Sequence, residues 1–181
     1  MTVTNNVVVT SACWGIFFSS VHNSKIINNT VVADGLLPMP GNCKPAVVIG
    51  DKTHQGPSSN DDIIRNNIAN TLAIYDLDPN MTMDHNICLG INGKCQIVTY
   101  VNGKPNWGVY EPGMHGDHNI IDGRGASGMF VSFDPAKFVD LGSGEPAIGA
   151  GNSAEASPVD ITGAARTDRV DVGAYQYSPD K

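Results

Sequence analysis

Ile64-Arg65-Asn66-Asn67-Ile68-Ala69 is followed by Met83-Asp84-His85-Asn86-Ile87-Cys88, and the two hexapeptides share one plan. An apolar residue comes first, then two of any kind, then Asn, then one of any kind, then a second apolar residue. The plan occurs twice upstream, as Val3-Thr4-Asn5-Asn6-Val7-Val8 and Ile26-Ile27-Asn28-Asn29-Thr30-Val31. A degenerate copy follows downstream as Gly116-Asp117-His118-Asn119-Ile120-Ile121. A strand alternates its faces with period two, so a step of three from apolar residue to Asn signals a bend. The plan therefore reads as a strand, a corner turned at a buried Asn, and a second strand. A buried amide is tolerated when it is hydrogen-bonded, and Asn side chains stacked at one corner can bond to one another and to turn backbone.

The repeated Asn residues are 6, 29, 67, 86 and 119, spaced by 23, 38, 19 and 33 residues. The spacings of 19 and 23 each fit one coil of a solenoid. The longer two fit a coil carrying a loop of roughly 12–18 extra residues, and such loops gather on one face. Further strands lie between the corners: Gly15–Ser20, Ala46–Asp51, Thr71–Asp76 and Gln96–Val101, with Ser127–Phe133 past the last corner. Their inward residues are expected to be Ile16 and Phe18, Val47 and Ile49, Leu72 and Ile74. A β-sandwich with Asn-rich turns is the rival fold, but it predicts no fixed place for Asn relative to its apolar neighbours.

Composition agrees with many short strands. The 181 residues include 17 Asn, 20 Gly and 11 Pro, with 41% hydrophobic and only 16% charged residues. Turn formers at that density among Val and Ile mean frequent turns. The net charge of −7 argues against a nucleic-acid partner. Apolar runs such as Ile16-Phe17-Phe18 are too short to span a bilayer. The first residues run straight into a strand pattern without the basic and apolar segments of a signal peptide. The chain is thus expected to be either intracellular or a piece of a longer protein, and the repeats favour the piece. Cys88 and Cys95 bracket a turn-like loop whose ends could meet in a disulfide. Cys13 and Cys43 read as small buried residues.

The repeats resemble those of right-handed parallel β-helix proteins, the pectate-lyase-like superfamily, with its asparagine ladder. The tail adds to the likeness. Gly144-Glu145-Pro146-Ala147-Ile148-Gly149-Ala150-Gly151 is followed by Val159-Asp160-Ile161-Thr162-Gly163 and Asp171-Val172-Gly173-Ala174-Tyr175-Gln176-Tyr177. These stretches resemble the C-terminal end of many secreted bacterial β-helix proteins, whose usual version is SPAIDAG…DIDG…R…DIGAYE. Glu145, Gly149 and Gln176 depart from it. The resemblance implies an all-β, right-handed parallel β-helix over residues 1–181 as one domain. Coils would occupy about 1–133, and 134–181 would form an irregular tail packing on them. A β-helix usually starts with a cap over its first coil, and no such segment is seen here. The chain is therefore expected to be a C-terminal portion, or to cover its open N-terminal coil by homo-oligomerisation.

The resemblance also implies a secreted or cell-surface protein acting on a polysaccharide, with no nucleic-acid or membrane partner. A lyase cutting an acidic glycan by β-elimination is the first expectation. A non-catalytic carbohydrate-binding, adhesion or structural segment is the alternative. A lyase needs a cation or Arg to neutralise the uronate, a base for the C5 proton and a proton donor for the leaving oxygen. Asp51-Lys52-Thr53-His54 opens a long loop, and Asp76 and Asp78 lie one coil on. Asp51, Asp76 and Asp78 are the candidate ligands for Ca²⁺, and Lys52 or His54 is the candidate base. The same residues also suit ordinary solvated turns. Arg65, with His85 near it, is a candidate contact to the anionic sugar, against a plain role at an exposed corner. Tyr75, Tyr100, Trp107 and Tyr110 are candidate sugar-stacking residues, with Trp107 expected on a loop after the Asn102–Asn106 turn. His115, Asp117 and His118 resemble a metal cluster on paper, although His118 also fills a repeat position. Phosphate loops, HExxH, CxxC pairs and a GxSxG elbow are all missing from the sequence.

Overall fold

The computed structural model describes residues 1–10, 12, 14–32, 46–50, 59–75, 80–89, 96–101, 104–109, 116–122, 145–167 and 169–178, and the side chains of all these except 46–50, 73–75, 96–101 and 104–109. The described residues form strands and no helix. The strands are β1 (Thr2–Thr4), β2 (Val7–Val9), β3 (Trp14–Phe18), β4 (Lys25–Ile27), β5 (Thr30–Val32), β6 (Ala46–Gly50), β7 (Ile63–Arg65), β8 (Ile68–Ala69), β9 (Thr71–Tyr75), β10 (Thr82–Asp84), β11 (Ile87–Cys88), β12 (Gln96–Val101), β13 (Lys104–Val109) and β14 (Ile120–Ile121). One sheet runs β1-β4-β7-β10, a second β2-β5-β8-β11-β14 and a third β3-β6-β9. Every neighbouring pair in these three sheets is parallel. From β1 to β11 the chain visits the three sheets in rotation and returns to each one strand further on, so that each round is a tier. Parallel sheets in this order, with buried Asn between them, are compatible with a β-helix.

The repeated hexapeptide sets the register. Its first apolar residue aligns from tier to tier as Val3, Ile26, Ile64 and Met83. Its last aligns as Val8, Val31, Ala69, Cys88 and Ile121. Both rows enter one core, which Ile16, Phe18 and Leu72 complete. A slip of one residue would turn either row outward, which is why the register is fixed. In the third sheet Ile16 pairs with Val47 and Val47 with Leu72, and Phe18 pairs with Ile49 and Ile49 with Ile74, as the expected inward set requires.

The bend lies one residue before the repeated Asn, where the chain enters the left-handed region. That residue is Asn5, Asn28, Asn66, His85 or His118, with φ between 52° and 61°. Asn and His adopt this conformation more readily than most residues. The repeated Asn then bridges tiers. Asn29, Asn67 and Asn86 are fully buried. Asn67 Oδ1 accepts from the backbone N–H of Asn29 at 2.9 Å and from its side-chain amide at 3.0 Å. Asn67 Nδ2 in turn donates to Ile26 O, Arg65 O and Asn86 Oδ1. The same pattern joins Asn6 to Asn29 and Asn86 to Asn119.

Residues 145–178 form a tail that crosses the tiers along their corner in reverse order. Asn152 N donates to Asn66 Oδ1, and Asn66 Nδ2 donates back to Asn152 O, both at 2.8 Å. Ser157 N donates to Asn28 Oδ1 at 3.3 Å, and Asn5 Nδ2 donates to Val159 O at 2.6 Å. Ala147 and Val172 cover Val32, Ile68, Ile87 and Leu89 on the outer side of the second sheet. Three polar residues of the tail motif hold its own shape. Asp171 accepts from Gly149 N and Tyr177 N, each at 2.6 Å. Asp160 accepts from Thr162 N, Thr162 Oγ1, Ala164 N and Gln176 N. Buried Arg166 donates to the carbonyls of Asp171, Gly173 and Tyr175. Gly173 is required as glycine: its φ is 96°, and a Cβ there would meet Ile68 Cδ1 at 2.7 Å.

One expectation is corrected, and a partner strand is added. The strand expected at Gln96–Val101 ahead of the fifth corner is present as β12 and lies beside β9. It pairs antiparallel with β13, and Trp107 stands opposite Val98 within that strand instead of on a loop. The physical reason lies between the two strands, where Asn102-Gly103 is the dipeptide that favours a two-residue hairpin connection. Cys88 is disulfide-bonded, and its partner lies outside the described residues. Cys13, Cys43, Cys95 and the expected strand at Ser127–Phe133 also lie outside them.

Candidate functional site

The candidate residues follow β6 and β9 in sequence. Gly50 pairs with Tyr75, the last residues of β6 and β9. Asp51, Lys52, His54, Asp76, Asp78 and Tyr110 themselves lie outside the described residues, as does His115. Tyr75, Tyr100 and Trp107 stand in β9, β12 and β13, in stretches whose side chains are not described.

Arg65 is described in full. It ends β7 and pairs in register with Asp84 at the end of β10. Its Nε and Nη2 meet the two carboxylate oxygens of Asp84 at 2.6 and 2.7 Å. Nη1 donates to Ala154 O at 3.3 Å and stands 3.9 Å from Glu155, which also pairs with Lys25 at 2.7 Å. The side chains of Arg65 and Asp84 are only 12% and 14% exposed. The hydrogen bond to Asp84 raises the guanidinium pKa above its ordinary value, with burial pulling the other way and the charges of Asp84 and Glu155 adding to the rise. A group so held is poorly suited to take a proton, and its fork is already occupied by a carboxylate of the protein. What the arrangement does is fasten two tiers to the tail.

Two pockets open beside the tail. One, of about 370 Å³, is lined by His85, His118, Asn119 and Ile120 on the tiers and by Gly149–Gly151 of the tail. The imidazoles of His85 and His118 stack there, with centroids 4.6 Å apart and planes inclined by 15°. They occupy the left-handed corner position that is Asn in the three earlier tiers. Stacked rings send their in-plane lone pairs side by side rather than to one point, so the pair is a poor chelate. Among the described residues no group of three or more His, Cys, Asp or Glu could hold a metal ion. The second pocket, of about 380 Å³, is lined by Ile148, Thr167, Arg169, Asp171, Gln176 and Tyr177. Its Asp171 carboxylate is spent on Gly149 N and Tyr177 N, and its Gln176 amide donates to Arg169 O and accepts from Asp171 N and Arg166 Nη1, so these polar groups serve the tail's own shape. Sequence reasoning sought chemistry in the tiers and took the tail as architecture alone.

No protein-family model matches the chain, and neither a curated protein nor a solved structure matches it.

Proposed function

We propose that the chain is a right-handed parallel β-helix with an asparagine ladder, and that it cleaves an acidic polysaccharide by β-elimination. The observation that carries the proposal is the pairing of Gly50 with Tyr75, from which the Asp51–His54 and Asp76–Asp78 stretches continue off adjoining strands. Lys52 or His54 is the proposed base for the C5 proton. Asp51, Asp76 and Asp78 are the proposed ligands of a Ca²⁺ ion, which when bound would neutralise the uronate. Tyr75, Tyr100, Trp107 and Tyr110 are the proposed stacking surface for neighbouring sugars. The disulfide at Cys88 supports an oxidising, hence secreted or surface, setting.

The alternative is a carbohydrate-binding segment without catalysis, and the state of Arg65 favours it. The one described candidate for the catalytic set is tied to Asp84 and the tail. One experiment separates the two. The protein is incubated with a panel of uronic-acid polymers while the absorbance of the unsaturated product is followed. A lyase gives rising absorbance on at least one polymer, and Lys52→Ala or His54→Ala lowers the rate by about 100-fold or more. No product on any polymer, with retardation on a polysaccharide affinity gel, gives the binding role instead.

A further inference from the structure

The corner residue changes its chemistry along the stack. In the first three tiers the left-handed corner is Asn5, Asn28 or Asn66, and each amide is bonded to the tail. Asn5 Nδ2 donates to Ser157 Oγ and Val159 O, Asn28 Nδ2 to the carbonyls of Asp171 and Gly173, and Asn66 Nδ2 to Asn152 O. The next two corners carry His85 and His118 in the same conformation, with φ of 52° and 61°. Among the described residues, no hydrogen bond joins either imidazole to the tail. The rings stack on each other instead, with centroids 4.6 Å apart, and Gly149–Gly151 of the tail line the same pocket of about 370 Å³. Side chains thus hold the tail by hydrogen bonds at three corners and by packing against a ring pair at two.

The two rings differ in their surroundings. The His85 side chain is 18% exposed, and its Nδ1 is buried without a hydrogen-bond partner. His118 is exposed and stacks over it. Asp84 Oδ1 stands 3.5 Å from His85 Nδ1, but both Asp84 oxygens already take the Arg65 fork. The other charged groups around the pair are engaged or face water. Asp117, next to His118, is exposed. Glu155 of the tail faces Lys25 and Arg65, and Asp171 accepts from Gly149 N and Tyr177 N. The Arg169 side chain lies against Gly149. Imidazole is the side chain that takes up a proton between about pH 5 and pH 8. One protonated ring has Asp84 at hand and no like charge in the stack. Two protonated rings face each other at 4.6 Å, inside the screening length of about 8 Å at physiological salt. Like charges that close repel, and the carboxylate beside them is already shared with Arg65.

We propose that the stacked pair is an acid-operated latch on the tail, closed while at most one ring is protonated and open when both are. Opening parts the rings, and the stretch from Gly149 to Gly151 loses the surface on which it packs. A stack that disfavours the second proton binds fewer protons folded than unfolded, so its contribution to stability rises with pH. That contribution is present above the ordinary imidazole value, about 6.5, and is lost as pH falls below it, in a window above that of carboxylates. The proposal rests on the tiers and the tail and not on the polysaccharide reading. Its test reads exchange and titration instead of activity, so the two fail separately.

The test compares the chain with His118→Asn, which puts at this corner the residue type that the first three tiers carry. The Gly149 and Gly151 amides, bonded to Asp171 Oδ1 and Val170 O, are followed by hydrogen exchange. Measurements run from about pH 7.5 to about pH 5, across the ordinary histidine value, and each rate is divided by the intrinsic rate at that pH. The Ile68 amide, bonded to Asn29 O inside the stack, serves as reference. Protection at Gly149 and Gly151 is expected to fall about tenfold or more on acidification of the unaltered chain, to stay within about twofold in His118→Asn, and to hold at Ile68 in both. The His85 ring resonances, followed by NMR, should titrate in two coupled steps in the unaltered chain and in one step in His118→Asn. Protection that does not change with pH, or that falls equally in both proteins, overturns the latch. A fall shared by Ile68 shows that acid loosens the whole stack and overturns it too. A single-step titration of His85 in the unaltered chain means that the rings do not sense each other, which is equally fatal.

Discussion

Asn67 touches three tiers through one side chain. Its oxygen takes two protons from Asn29, and its nitrogen gives protons to Ile26 O, Arg65 O and Asn86 Oδ1. Leu has similar bulk but can neither accept nor donate, so Asn67→Leu leaves buried donors and acceptors unpaired on both neighbouring tiers. Each stranded group costs about 1–3 kcal/mol, and the expected loss is about 3 kcal/mol or more, read from urea denaturation. A loss below about 1 kcal/mol, within the range of surface substitutions, would mean that water replaces these bonds. The buried Asn residues were legible because each keeps a fixed offset from two apolar residues. The left-handed corner was less so: Asn5-Asn6, Asn28-Asn29 and Asn66-Asn67 are tandem pairs, and composition does not tell which member bends. Arg65 shows the further limit. Its partner Asp84 is 19 residues away, and only the parallel register of β7 and β10 brings the two ends together.

At the scale of elements, Asp160 organises the turn between Val159 and Ala165. Burial pushes its carboxyl up, but the hydrogen bonds from the Thr162 side chain and from the N–H groups of Gln176, Ala164 and Thr162 together hold it below its ordinary value. A carboxylate with a folded pKa below its unfolded one adds stability above the unfolded value, about 3.9, and that stability is lost as pH falls through the folded value. The tail is therefore expected to loosen on acidification below about pH 4. Asp160→Asn should be less stable near neutrality by about 1–3 kcal/mol and should lose less between pH 5 and pH 3, roughly the range around that ordinary value. Denaturant titrations at several pH values check this, and an unchanged acid limb in Asp160→Asn would move the cause elsewhere. The residues that follow β6 and β9 in sequence carry a second prediction. If Asp51 and Asp76 share a Ca²⁺ ion, calcium raises the melting temperature and Asp51→Asn weakens the rise. No shift with calcium, or an equal one in the variant, would leave both as turn carboxylates. Parallel strands were readable from recurring apolar pairs, but a single strand does not announce its neighbour. Gln96–Val101 alternates much as β6 does, and only the Asn-Gly connection tells of its antiparallel partner.

For the whole molecule, the order in which the tail meets the tiers decides how the protein unfolds. Stacked repeats have stabilities close to a sum of nearest-neighbour terms, so end tiers can fray alone. Here one segment joins Asn66, Asn28 and Asn5 in turn, through bonds spanning 86 to 154 residues of sequence. No periodicity reports such distant pairs, which is why the tail was legible as a motif and not as a strap. Arg166 holds the strap closed. Its Nη2 donates to Gly173 O at 2.8 Å and to Asn5 Oδ1 at 3.3 Å, and its Nη1 serves Asp171 O and Tyr175 O. Burial lowers its pKa and the charges of Asp160 and Asp171 oppose that, and a guanidinium remains a cation throughout the ordinary pH range. Lysine retains the charge but cannot spread donors over this fan of carbonyls. Arg166→Lys should cost about 1.5–3 kcal/mol, the range for hydrogen bonds to charged groups. The loss should not fall evenly. Hydrogen exchange should quicken at β1 and β2, the tier farthest along the strap, before it quickens at β7 and β8. A uniform acceleration across all tiers would show that the tail stabilises the stack only as a cover over Ile68 and Ile87, without coupling one end to the other.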